Sequence, residues 1–144
     1  MIADVIARLK ARVPDFGGRI EGAMELADLM KRNALPQAPL SAFVLPLGLA
    51  GGEANSANQY FTQTFDEAVG VMITTRTFTQ TGATAVDPLE VLRNAVIAAI
   101  VGWGPPTALG VFRLLRATLV SMDAGTVVYQ IDFALTDQLR IIVP

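Results

Sequence analysis

Residues 126–135 read TVVYQIDFAL, and in that run Val127, Tyr129, Ile131, Phe133 and Leu135 alternate with Val128, Gln130, Asp132 and Ala134. Period two is the signature of a strand whose side chains point alternately to two faces, one of them packed on a core. Just upstream, Asp123-Ala124-Gly125 puts glycine where a three-residue hairpin needs a left-handed residue. Phe112–Met122, with Leu114, Leu115, Leu119 and Val120, supplies the partner strand. The chain is therefore predicted to close on an antiparallel β-hairpin.

Further upstream, residues 60–78 are rich in Thr, Val, Ile and Phe, with Val69, Val71 and Ile73 on one face and Ala68, Gly70 and Met72 on the other. They predict one long strand, covered on both faces near its middle. Ala42–Leu47 is a dense apolar strand in which Pro46 implies an edge or a bulge. Between these two strands, Gly48–Gln59 is small and polar, with no apolar period, and predicts an exposed, mobile loop. Arg19–Ala23 predicts a short strand, and Met24–Asn33 a short helix with Met24, Ala27 and Met30 on one side. Pro36 and Pro39 mark a turn.

Two longer helices complete the pattern. Ile2, Val5, Ile6, Leu9 and Val13 recur at three- and four-residue spacing among Asp4, Arg8, Lys10 and Arg12, and Pro14 ends the run. Thr79–Val86 reads as a connector, after which Asp87-Pro88-Leu89-Glu90 offers an N-cap, a proline at the first helical position and an acid at N3. The helix predicted over residues 87–101 has Leu89, Leu92, Val96, Ala99 and Ile100 as its core stripe, with Gly102 as its stop. The fold class is α+β, with a mixed or antiparallel sheet of about four to five strands and helices packed on one face. At 144 residues the chain is expected to form a single domain over residues 1–144.

Composition narrows the chemistry. There is no histidine and no cysteine, so the commonest bases, nucleophiles and metal ligands near neutral pH are missing. Asp66 and Glu67 are neighbours on a strand and point to opposite faces, which excludes a shared carboxylate pair. Asp87 and Glu90 are accounted for by the helix start, and Asp123 by the turn. Catalytic, cofactor and metal sites are therefore all expected to be none. A net charge of -2 without a basic run argues against tight nucleic-acid binding. The N-terminus has no signal-peptide pattern, and the most apolar stretch, residues 91–103, contains Arg93 and Asn94 and falls short of the about 20 residues a bilayer requires. A soluble protein with no membrane partner is expected.

Yet 52% of the residues are hydrophobic and only 17% charged, with a mean hydropathy of +0.46. A domain this small has too little interior for so much apolar surface, so the surplus points to surfaces that other protein chains cover. The candidate interface residues are Gly51, Gly52, Glu53, Asn55 and Asn58 in the polar segment, together with Trp103 and Arg113. Trp103, beside Gly104-Pro105-Pro106, reads equally as an interface anchor or as a plug at the end of the core. Arg113 and Arg116, three apart on a strand, are expected on opposite sides and hence not to form one anion clamp. Arg113 reads as a solvated edge charge or as the partner of an acid across a subunit boundary.

The order of elements resembles that of the tail terminator, or tail-completion, proteins of long-tailed bacteriophages, those of siphophages and Mu-like prophages in particular. The segments that carry the likeness are residues 2–14 (IADVIARLKARVP), 42–52 (AFVLPLGLAGG), 65–73 (FDEAVGVMI) and 111–141 (VFRLLRATLVSMDAGTVVYQIDFALTDQLRI). None of them is a chemically diagnostic motif. The resemblance implies a structural, non-enzymatic virion protein, assembled in the bacterial cytoplasm, that forms a homohexameric ring. It would cap the head-proximal end of the tail tube, end tube polymerisation and meet the head-completion or neck protein. DNA would pass through the lumen without specific binding. A neck adaptor or tube-forming tail protein would share this composition and much of this architecture. A small ligand-binding α+β domain would require a pocket of convergent polar groups.

Overall fold

The computed structural model describes residues 1–32, 39–76, 83–123 and 125–143. Helix α1, Ile2–Arg12, carries Asp4 in its first turn and Lys10 and Arg12 in its last, charges that complement the helix dipole. Val5, Leu9 and Val13 from its predicted stripe are buried, and Ile2 and Ile6 pack at the margin of the same cluster. After a 3-10 turn over Pro14–Phe16 come strand β1, Ile20–Gly22, and helix α2, Ala23–Lys31. At the start of α2 the Gly22 N–H donates to Glu25 Oε2 at 3.0 Å, which is half of a capping box. The predicted apolar side of α2 points outward, leaving Met24 and Met30 exposed while Leu26 and Leu29 are half-buried. A short helix with apolar residues all round lets its docking on β1 and β2 choose the inner side.

Strands β2, Leu40–Ala57, and β3, Tyr60–Arg76, form a long antiparallel hairpin. This corrects the loop expected over residues 48–59. Gly48–Ala57 is the continuation of β2, paired with β3 as far as Ala57 and Tyr60. Backbone hydrogen bonds to β3 replace the apolar anchoring that the sequence lacks there, because a ladder satisfies N–H and C=O groups whatever the side chains are. Asn58 and Gln59 form the two-residue tip, with φ of 51° and 71°. Two successive left-handed residues make the I′ geometry that matches strand twist. Pro46 sits beyond the end of β1 and beside the register shift at Pro46/Gly48, so it meets both an edge and a bulge, as expected. Phe78 and Pro36, from the predicted strand end and turn, lie outside the described residues.

Helix α3 runs over Ala83–Ile100 and so begins one turn before the predicted cap. Asp87 and Pro88 lie inside it, and the connector read over residues 79–86 ends in helix; Ala83 and Ala85 favour that earlier start. Its stripe is as predicted, with Leu89, Leu92, Val96, Ala99 and Ile100 buried, and Gly102 follows at φ +82°. Strands β4, Arg113–Asp123, and β5, Thr126–Ile142, close the chain as an antiparallel pair. Asp123 already pairs with Thr126, which makes the connection one residue shorter than expected, and Gly125 has φ +78°.

The sheet is mixed, in the order β1-β2-β3-β5-β4, with only β1–β2 parallel. One face of its middle carries the core, where Val69 pairs with Phe133, Val71 with Ile131 and Ile73 with Tyr129, beneath α1 and α3. The passage from α3 to β4 closes this core. Gly110 lies so near the Thr136 carbonyl that any side chain there would clash, which accounts for glycine at that position.

Candidate functional site

The three central strands outrun the core. Past Leu45 the whole of β2 is exposed, and the far ends of β3 (residues 60–65) and β5 (137–142) continue beside it as a three-stranded arm. The Val143 N–H donates to the Gln59 carbonyl, so the end of the chain reaches the hairpin tip. Among the described residues no helix covers the outer arm, and Leu49, Tyr60, Leu139, Ile141 and Ile142 are exposed. Strand β4, at the sheet's edge, adds Leu114, Leu115, Leu119, Val120 and Met122. The surplus hydrophobicity of the sequence is concentrated on the arm and on β4.

On the face opposite the core lies a row of polar contacts. Asp66 stands opposite Thr136; it accepts a hydrogen bond from the Thr136 hydroxyl at 2.6 Å and pairs with Arg113 at 3.2 Å. The Thr136 hydroxyl holds the Asp66 carboxyl below its ordinary value against the opposing effect of desolvation, and the Arg113 guanidinium adds to the lowering. Asp132 is buried and accepts from Arg116 Nε at 3.0 Å and Gln130 Nε2 at 2.8 Å. Arg113 and Arg116 are thus on the same face, not on opposite ones. A bulge between Leu114 and Arg116 adds one residue, which places Arg113 opposite Ala134 and Arg116 opposite Asp132. They still make no joint anion clamp, since each holds its own carboxylate, and Arg113 finds its acid within its own chain.

Of the candidate interface residues, Gly51, Gly52, Glu53, Asn55 and Asn58 line the outer half of β2 and the tip. Arg113 comes close to the base of that arm. Together with Leu47, Gly48, Leu49, Ala50 and Leu115 it rims an open depression of about 310 Å³ floored by Asp66, Ala68 and Ala134. Trp103 lies apart from these residues. It is half-buried, stacks on Phe112 with ring centroids 6.0 Å apart, and lies under the Arg8 guanidinium at 5.2 Å. Arg8 is held there by its Nε bond to the Ala99 carbonyl at 2.9 Å. This is the core-plug position of the two readings.

The charged side chains in the depression, Asp66 and Arg113, pair with each other. Among the described residues no group of three or more metal-ligating side chains occurs, and no helix is long and apolar enough to cross a membrane. The profile of the family described as phage tail terminator protein matches residues 2–143. The chain belongs to that family. It is accordingly a structural protein of the tail of a phage-type virion, as the resemblance of its segments implied. Among solved structures, a chain of the virion of a native gene transfer agent particle has the same fold. The two share 16% identity at a TM-score of 0.50, with 96% of this chain and 98% of that one covered. Among curated proteins no match was found.

What sequence reasoning missed is the apolar edge. Leu114-Leu115 and Leu119-Val120 are adjacent apolar pairs at the two register shifts of β4, and all four side chains are exposed.

Proposed function

We propose that the protein assembles as a homohexameric ring on the head-proximal end of a finished tail tube, stops its polymerisation and presents its other side to the neck. The observation that carries this reading is the tail terminator family match, which leaves only one residue at each end unmatched. The exposed apolar arm and the bare edge of β4 suit such a role, since ring and tube contacts would cover them. The protein folds as one domain, carries no enzymatic activity, and lets DNA pass through the lumen without specific contacts, in keeping with a net charge of -2. Gly51, Gly52, Glu53, Asn55, Asn58 and Arg113, with the part of half-buried Trp103 that stays exposed, are its interface residues.

The test is polymerisation of the cognate tube protein with and without this protein, followed by negative-stain imaging. Ring-shaped density at one tube end and an arrested length distribution are expected. Incorporation along the tube would make it a tube-forming protein instead, and binding to the neck complex alone would make it an adaptor.

A further inference from the structure

We infer that the subunits of the ring join by sheet extension, the free edge of β4 in one copy pairing antiparallel with the outer half of β2 in the next. This rests on the ring reading above and names the strands that make it. In the order β1-β2-β3-β5-β4, β4 has no neighbour on its far side among the described residues, while β1 pairs only with Ala42–Val44 and leaves β2 open from Gly48 onward. Each edge presents a row of backbone N–H and C=O groups available to another strand.

Four features make the two edges partners of one another. The first is direction. Strands β2, β3, β5 and β4 alternate in sense, so a second sheet set alongside places its β2 antiparallel to β4. The second is register. On β4 the regular stretch Arg116–Leu119 lies between shifts at Leu114/Arg116 and Leu119/Ser121. On β2 the equally long stretch Gly48–Gly51 lies between shifts at Pro46/Gly48 and Gly51/Ala54. The third is charge: Arg113 and Arg116, which stay largely exposed beside the carboxylates they hold, are the charged residues of the β4 edge before Asp123, and Glu53 is the charged residue of the β2 edge. The fourth is apolar cover, since Leu115, Leu119 and Val120 on one edge and Leu49 on the other are all exposed. The two patches are different, so the contact is heterologous, and repeating it by rotation closes a ring, whereas a pairing of β4 with β4 would stop at two copies.

The native chain has no cysteine, so thiol cross-linking reads this contact without background. Thr118→Cys on β4 and Ala50→Cys on β2 are prepared separately, checked for an unchanged melting temperature, and treated with a short bis-maleimide alone and mixed. A covalent dimer only in the mixture, and a ladder of larger products from the double variant, are expected. Adding Glu53→Lys should lower the yield several-fold at low salt and less at high salt. Dimers from Thr118→Cys alone, or no mixed product up to the solubility limit, would overturn the inference. If wild-type protein caps tubes while no mixed product forms on them, the pairing falls and the capping reading stands. Ladders together with uncapped tubes would sustain the pairing and remove the capping reading.

Discussion

The two halves of the β2–β3 hairpin share the same backbone ladder and differ in everything else. At the inner end Ala42 and Val44 pair with Ile73 and Val71, all fully buried under the helices. At the outer end Gly51–Ala57 and residues 60–65 also pair, across one register shift between Gly51 and Ala54, with the β2 side chains exposed and those of β3 at most half-buried. A strand therefore needs a partner strand but not a core. The inner half is the part that gains stability from burial, and the outer half contributes surface.

That contrast predicts an order of effects. Phe133→Ala, on the buried face of β5, should cost about 3–5 kcal/mol and lower the melting temperature by roughly 10 °C, since a fully buried aromatic leaves a cavity. Equal losses for Phe133→Ala and an outer-arm substitution would break the comparison. On the opposite face of the same strand, Gln130→Ala removes one donor from buried Asp132 and should cost about 1 kcal/mol, measured by denaturant unfolding.

Asp66→Asn sharpens the picture through pH. Because its carboxyl is held below the ordinary value of 3.8 in the folded chain, its contribution is present above that pH and is lost as pH falls through the folded value. The wild type should be the more stable at neutral pH, by a small margin for a pair this exposed, with the difference shrinking to nothing in strong acid. A constant difference across the titration would remove the Thr136–Asp66–Arg113 contact from the account. Leu139→Ser, at the outer end of β5, should change stability by less than about 0.5 kcal/mol.

The same contrast explains what the sequence made legible. Burial imposes periodicity, so α1, the stripe of α3 and the alternation of β5 are visible in the order of residues. Where nothing is buried, nothing imposes a pattern, and Gly48–Ala57 reads as a loop although it is strand. Asn58-Gln59 adds to this, because the tip lacks the Asn-Gly pair that signals a I′ turn. The Arg113–Arg116 relation was hidden for another reason. One bulged residue in β4 reverses the face of the residues from Arg116 to Leu119, up to the next shift at Leu119/Ser121, and no spacing rule announces a bulge. For the interface, composition revealed the surplus of apolar surface but not its place, which depends on which strand lies at the edge.

The most direct test of this division of labour is the length distribution of tail tubes assembled with an arm-shortened variant. Ala50 faces Asp66 in the ladder, so joining them through Asn-Gly and ending the chain after Gln138 removes the outer arm and leaves the core. The melting temperature should fall by no more than about 5 °C, while tubes grow as long as they do with no terminator present. A shortened protein that folds and still stops tubes at their normal length would contradict the account.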